Sequence, residues 1–169
     1  GNPGTGKTTA ARLLGQLHYE VGTLSKGHIV EVSAKDLIAN VIGGTALKTG
    51  TKVAEAIGGV LFIDEAYKLF EKGDRHNFAS QSVTELLTAM ENEPDLVIVF
   101  AGYKEPMEQL LKSNPGLPRR IRYVLETADQ TTSELIQILD LQLAQHGQVM
   151  TSAARQLFKS KVVENKNTT

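Results

Sequence analysis

The spacing of apolar residues divides most of the chain into strands that alternate with helices. Two continuous apolar runs, Val60–Ile63 and Leu96–Phe100, have the length and composition of buried parallel strands. His28–Ser33 alternates apolar and polar residues and predicts another strand. Tyr123–Leu125 predicts a short final strand. Such alternation indicates an α/β fold with a parallel sheet flanked by helices.

Residues at helical spacing predict the connecting helices. Thr9–Glu20 reads as an amphipathic helix. Its core-facing residues are predicted to be Ala10, Leu13, Leu14 and Leu17. The other helices are predicted over Ala34–Asn40, Lys52–Ile57, Ser80–Glu91, Glu105–Lys112, Thr131–Ala144 and Ser152–Val163. Val41–Thr51 is rich in Gly and Thr and is predicted to be a mobile loop, and Glu71–Asn77 a polar loop.

The order of these elements predicts an α/β domain over residues 1–127 and an all-helical annex over residues 128–169. A length of 169 residues suits one hydrophobic core. The formal net charge of −1 argues against binding nucleic acid or an anionic membrane surface. The chain has no Cys, which excludes disulfides and fits a reducing compartment. Its apolar runs are far shorter than the roughly 20 residues of a membrane span.

The start of the chain has the pattern of a phosphate-binding loop, two glycines separated by four residues and followed by Lys and Thr. Glycines let backbone N–H groups curl around a phosphate, and the following helix directs its positive end at the same anion. Lys7 would reach the β- and γ-phosphates, and the Thr8 hydroxyl would bind Mg²⁺. The predicted nucleotide-binding residues are Asn2, Pro3, Gly4, Thr5, Gly6, Lys7, Thr8 and Thr9. The alternative is a Gly-rich turn that precedes a helix by chance.

Two carboxylates, Asp64 and Glu65, follow the apolar strand Val60–Ile63. A parallel strand delivers its last residues to the sheet edge where ligands bind. Asp64 is therefore predicted to hold Mg²⁺ together with Thr8, and Glu65 to orient and deprotonate the attacking water. A strand that ends in two solvated acids is the alternative. Because P-loop kinases and GTPases do not usually need the second acid, Glu65 favours ATP hydrolysis.

Several motifs resemble the group of AAA+ ATPases that contains the red-type Rubisco activase and the stage V sporulation protein K. The resemblance extends from Gly1 to about Leu135. Its motifs are Gly1–Thr9, Lys26–His28, Gly58–Tyr67, Ala101–Lys104 and Ser113–Leu117. It implies a P-loop NTPase fold of AAA+ type, with residues 128–169 as a partial helical lid. It also implies a ring, usually of six subunits, that couples ATP hydrolysis to the remodelling of a partner protein.

The resemblance also assigns further residues. Tyr103 falls where many AAA+ proteins carry the polar sensor of the γ-phosphate, although a packing role at a strand end is an equal alternative. Arg119 and Arg120 fall at the position of the arginine finger, which acts on a neighbouring subunit's nucleotide. Arg120 is favoured because it aligns with the Arg just before the apolar residue of that motif. Taken alone, these arginines would be read as a solvated basic patch.

The sequence departs from the family pattern at three places. Val41 stands where the family carries an aromatic residue that grips substrate in the pore, so a gentler remodelling or regulatory role becomes plausible. The apolar strand that the family has before the loop, in the middle of the sheet, does not precede Gly1, and we expect the natural protein to continue upstream. Arg155 is the only Arg after residue 127 and lies too early for the second sensor of the family.

These observations together predict an ATPase module that acts on a partner protein. One alternative is a nucleotide-dependent scaffold, in which ATP binding organises an assembly and turnover is incidental. A small-molecule P-loop kinase gives no reason for Glu65 or for Arg119 and Arg120. A nucleic-acid motor is disfavoured by the near-neutral charge. The sequence does not identify the client protein.

Overall fold

The structure, a computed structural model, describes residues 5–39, 41, 43–70 and 78–166. These residues form the strands β1 (Ile29–Ser33), β2 (Val60–Asp64) and β3 (Val97–Phe100). The helices are α1 (Lys7–Glu20), α2 (Ala34–Leu37), α3 (Gly44–Ala56), α4 (Phe78–Asn92), α5 (Lys104–Ser113), α6 (Gly116–Arg120), α7 (Thr132–Gln145) and α8 (Ser152–Lys166). A 3₁₀ helix, Ala66–Phe70, follows β2. The predicted loop Glu71–Asn77 lies outside the described residues.

The strands form a parallel sheet, as predicted, and their order is β1-β2-β3. Asp64 pairs in register with Ser33 on one side, and Ile63 pairs with Phe100 on the other. Parallel pairing brings the carboxyl ends of the strands to one edge of the sheet. The residues that follow β2 and β3 therefore start from the same edge.

One face of the sheet is buried under helices. Leu61 and Ile63 point to this face and are fully buried. The α2 residue Leu37, the α4 residue Leu86 and the α5 residue Leu110 belong to the same cluster. This cluster is the main hydrophobic core. It packs against β2, the middle strand of the described sheet.

Helix α1 covers the opposite face, but it packs through a different set of residues from the predicted one. Leu13 and Leu17 are exposed, whereas Ala11 and Gly15 are buried. A Cβ atom at position 15 would lie 2.9 Å from the Gly27 carbonyl oxygen. The helix therefore approaches the sheet too closely for branched side chains, and small residues occupy the contact.

The contacts of α1 with β2 fix the direction of the helix. Gly15 lies against the Val60 side chain, and Ala11 packs with Phe62 two residues further along the strand. Four helical residues span about 6 Å and two strand residues about 6.6 Å, so the two elements advance in step and in opposite directions. One more step of this spacing leads from Ala11 to Lys7 along the helix and from Phe62 to Asp64 along the strand. The amino-terminal end of α1 thus lies at the carboxyl edge of the sheet.

Helix α3 begins at Gly44, so the prediction of a mobile loop over Val41–Thr51 is wrong for most of that segment. Buried threonine hydroxyls account for the helix. Thr45 Oγ1 accepts from Ala39 N at 2.9 Å, and Thr49 Oγ1 donates to the Leu37 carbonyl at 3.1 Å. These bonds satisfy the carbonyl of the last residue of α2 and the N–H of Ala39 beyond it, and they offset the low helix propensity of Gly and Thr.

Residues Tyr123–Leu125 do not form the predicted strand. Tyr123 is 84% exposed and Leu125 85% exposed. The resemblance implies a strand beside β3, and none lies there among the residues that the structure describes. Within the described sheet β3 pairs only with β2, and the Tyr123–Leu125 segment does not pair with its other edge.

The chain divides into two compact units, residues 1–127 and residues 128–169. The second unit contains α7 and α8. Thr131 caps α7 reciprocally with Glu134, and Arg155 of α8 binds both carboxylate oxygens of Asp140 at 2.7 and 2.8 Å. Within the described part of the chain, every helix is too short or too polar to span a bilayer.

Candidate functional site

The amino-terminal end of α1 has the features of an anion site. Gly6 precedes the helix with φ +79°, a conformation that L side chains rarely adopt. No side chain caps the helix and its first turn has no acidic residue, so its N–H groups and positive end face no carboxylate within the helix. Lys7 and Thr8 are half-buried in the first turn, and Thr9 is exposed.

The preceding loop is described from Thr5 onward. The Thr5 hydroxyl lies 2.9 Å from the Thr127 hydroxyl, and this contact links the end of the loop to the last residue of the first unit. The other predicted loop residues, Asn2, Pro3 and Gly4, lie outside the described residues.

Asp64 ends β2 on the side of the sheet that α1 covers. Alternate residues of a strand share a face, so Asp64 points to the same side as Val60 and Phe62, which contact α1. The Asp64 carboxylate is exposed, and its Oδ1 accepts from the Glu65 backbone N–H at 2.9 Å. The structure therefore brings an exposed carboxylate to the sheet edge where the positive end of α1 lies.

Glu65 is the one non-glycine residue with positive φ among those described, at +49°. Such a backbone conformation is unfavourable for an L residue and persists where surrounding contacts hold it. The Glu65 carboxylate receives two such contacts. Tyr67 Oη donates to Oε1 at 3.0 Å, and Lys68 Nζ donates to Oε2 at 2.5 Å. These hydrogen bonds, that of Lys68 first, lower the pKa of Glu65 below its ordinary value.

Tyr103 lies beside Tyr67 at the end of β3. The two ring centroids are 6.0 Å apart with an angle of 42° between the planes, within the range of favourable aromatic pairs. Tyr103 is 39% exposed. It therefore has a packing partner and is also partly open to solvent, and both interpretations of Tyr103 remain compatible with its position.

The two predicted finger arginines have different surroundings. Arg119 is exposed at the end of α6. Arg120 forms an ion pair with Glu91 of α4 and donates from Nη1 to the Gly116 carbonyl at 3.1 Å. Its Nε is buried and has no hydrogen-bond partner in the described part of the chain. The favoured residue, Arg120, is thus held within its own chain, while Arg119 points to solvent.

Sequence reasoning did not identify Tyr67, Lys68 or Glu91 as parts of this site. For Lys68 a signal was present, because a basic residue three positions after an acidic one faces it within a single helical turn. Tyr67 ends the motif Gly58–Tyr67 but had no role assigned to it, and for Glu91 the signal was absent. Their partners were fixed only by the tight turn after β2 and by the packing of α6 near α4.

The residues at this edge fit a nucleotide with Mg²⁺. The uncapped start of α1 and the Lys7 side chain suit a polyphosphate. Thr8 and Asp64 offer hydroxyl and carboxylate oxygens, the ligand type that Mg²⁺ prefers.

The chain belongs to the AAA family, described as the ATPase family associated with various cellular activities. The family pattern matches residues 1–127, the residues of the first compact unit. Membership confirms the predicted AAA fold and supports nucleotide binding and ATP-dependent activity at the family level.

The chain is also similar to curated proteins of the predicted group. It is 42% identical over 159 residues to the chloroplastic ribulose bisphosphate carboxylase/oxygenase activase of Cyanidioschyzon merolae, which covers 94% of this chain and 54% of that protein. It is 36% identical over 170 residues to the stage V sporulation protein K of Bacillus subtilis, covering 100% of this chain and 52% of that protein. The chain thus spans about half the length of these relatives.

Among solved structures, the AAA domain of FIGL-1 in complex with ADP has a similar fold. The TM-score is 0.60 at 21% identity, with 85% of this chain and 46% of that chain covered. This likeness supports the fold. Together with the family match, it confirms the α/β architecture predicted from the sequence.

Proposed function

We propose that this protein is an ATPase whose turnover remodels a partner protein within an oligomeric ring. The observation that carries the proposal is the common position of the α1 amino terminus and of Asp64 at one edge of the sheet, supported by membership of the AAA family. The proposed nucleotide-binding residues are Asn2 to Thr9, with Mg²⁺ held by Thr8 and Asp64.

The binding step uses groups whose charge matches the ligand. Backbone N–H groups at the start of α1 bind the phosphates, and the Lys7 ammonium binds the β- and γ-phosphates. Bound Mg²⁺ would supply positive charge that offsets the charge developing on the transferred phosphoryl group. Asp64 is exposed on the α1 side of the sheet, where its oxygens are available to the metal.

In the hydrolytic step, Glu65 acts on the attacking water. A carboxylate has about four lone-pair positions, so two remain for water when Tyr67 and Lys68 occupy the others. Glu65 orients the water toward the γ-phosphorus and accepts its proton as the phosphorus–oxygen bond forms. ADP leaves with the electron pair of the broken bond to its β-phosphate oxygen. Tyr103 is proposed to sense the γ-phosphate through its hydroxyl.

We propose that Arg120, with Arg119 as the alternative, acts on the nucleotide of a neighbouring subunit. Arg120→Ala is expected to lower kcat about a thousandfold with ATP affinity nearly unchanged, because a finger stabilises charge in the transition state. Arg119→Ala distinguishes the two arginines. Glu91→Gln is the matched control, since it removes the ion pair and keeps Arg120.

Mixing inactive subunits tests action between subunits. Arg120→Ala keeps Glu65, and Glu65→Gln keeps Arg120, so a mixture would contain some interfaces with both residues. We expect the mixture to regain ATPase activity that neither variant has alone. Failure to regain it, with mixed assembly shown by mass spectrometry, would reject a finger that acts in trans.

Polypeptide stimulation of turnover tests the remodelling role. If Val41 contacts an extended client, an unfolded polypeptide such as casein should raise the ATPase rate. Val41 is 64% exposed on the segment before α3 and is available for contact. Val41→Asp should abolish the stimulation and Val41→Tyr should increase it, with basal turnover unchanged in both.

A nucleotide-dependent scaffold is the second candidate function. It is favoured by Val41 in place of an aromatic residue and by the ion pair of Arg120 with Glu91 of the same chain. Both features are unfavourable for a strong motor. ATP-dependent assembly without any polypeptide stimulation would select the scaffold.

A further inference from the structure

The short turn after β2 holds the Glu65 side chain from two sides. Tyr67 Oη donates to one carboxylate oxygen at 3.0 Å, and Lys68 Nζ donates to the other at 2.5 Å. Both donors belong to the 3₁₀ helix Ala66–Phe70. A carboxylate held at both oxygens loses its rotation about the terminal bond, and its remaining lone pairs keep a defined direction.

The turn itself is attached to the end of β3. The Ala66 backbone N–H donates to the Ala101 carbonyl at 2.9 Å. The next residue, Gly102, leaves space for the Tyr67 ring, because a Cβ there would lie 2.9 Å from Tyr67 Cδ1. The ring also contacts Tyr103. The donor hydroxyl is therefore fixed by elements outside its own turn.

We propose that Tyr67 and Lys68 are positioning residues that hold the Glu65 carboxylate toward the attacking water. The inference rests on the proposed function of Glu65. Neither side chain needs to touch the nucleotide. Their effect is to keep Glu65 in one orientation despite a backbone conformation, φ +49°, that is unfavourable for it.

Through the same contacts, the position of Tyr103 can affect the orientation of Glu65. Tyr103 touches Tyr67, and Tyr67 bonds to Glu65. A shift of Tyr103 on nucleotide binding would move the Tyr67 ring and, with it, the hydroxyl that holds Glu65. Tyr103→Phe keeps the ring and removes the hydroxyl, so it separates this packing role from direct sensing of the γ-phosphate.

Steady-state kinetics of the full chain test the proposal. Tyr67→Phe and Lys68→Met are each expected to lower kcat about tenfold with the KM for ATP unchanged, because the contact acts on the water and not on nucleotide binding. Lys68→Arg should recover most of the activity. Tyr123→Phe and Lys112→Met are matched controls at exposed positions and should leave kcat as it is.

A double substitution separates positioning from general stability. In the Glu65→Gln background, Tyr67→Phe should cause no further loss of kcat, since residues that act through one group are not additive. An unchanged kcat in both single variants, or a further loss in the double variant, would overturn the inference. Wild-type turnover by Glu65→Gln itself would instead reject the proposed role of Glu65.

Discussion

Glu65→Gln is expected to lower ATP hydrolysis by about 10²- to 10⁴-fold, the usual contribution of a positioned general base. Gln keeps the size and the hydrogen-bonding oxygen of Glu but cannot accept the proton of water. ATP binding should persist, because we propose that the phosphates bind to Lys7 and the start of α1 and not to Glu65. Rapid-quench measurement of phosphate formation and fluorescence titration with a labelled ATP analogue would give the two values separately.

The matched control for this variant is Glu20→Gln at the far end of α1. It removes one acidic charge from an exposed position away from the sheet edge. We expect it to hydrolyse ATP at the wild-type rate. Hydrolysis by Glu65→Gln within a few-fold of the control would remove Glu65 from the mechanism.

Lys7→Ala is expected to weaken ATP binding by at least about a hundredfold. Lys7 begins α1 at the end of the helix that lies at the carboxyl edge of the sheet. Charge-assisted hydrogen bonds to phosphate contribute about 1.5–3 kcal/mol each, and the proposed role of the ammonium is to bind two phosphates. Isothermal titration calorimetry with a non-hydrolysable ATP analogue measures the loss.

Lys112→Ala provides the comparison for Lys7→Ala, since it also removes a lysine charge, at an exposed position of α5. Its affinity should equal that of the wild type. If Lys7→Ala bound ATP as tightly as this control, the segment before α1 would not be a phosphate-binding loop. Circular dichroism of both variants would verify that the fold is intact.

The sheet was predictable because its strands carry a strong local signal. Val60–Ile63 is a continuous apolar run, and the structure buries it completely in the centre of the described sheet. The position of Asp64 at the carboxyl edge then follows from parallel pairing alone. Sequence also predicted α1 from its periodicity, with the start of the helix two residues late.

The side of α1 that meets the sheet could not be predicted from hydrophobicity. Four apolar residues formed the most obvious stripe, yet Ala11 and Gly15 make the contact. Close approach of backbones favours small residues, and that requirement depends on the Gly27 carbonyl, which lies elsewhere in the sequence. The residues of α1 at this interface were therefore determined by the close approach of the two backbones in the folded protein, and not by the local pattern of hydrophobic residues.

The contacts around the site were hidden for a similar reason. Glu65 was identified from its place after a buried strand, but its bond to Tyr67 depends on a 3₁₀ turn and on a positive φ. Arg120 was identified through family resemblance, whereas its pair with Glu91 arises from the packing of α6 near α4. Local sequence therefore predicted the types of residue in the site better than their partners.

The central claim is that the α1 amino terminus and Asp64 bind the same nucleotide. A crystal or cryo-electron microscopy structure of the Glu65→Gln variant with ATP and Mg²⁺ tests it most directly. We predict density for the triphosphate between Lys7 and Asp64, with the metal coordinated by Thr8. Nucleotide density at another surface, with this edge of the sheet empty, would contradict the account.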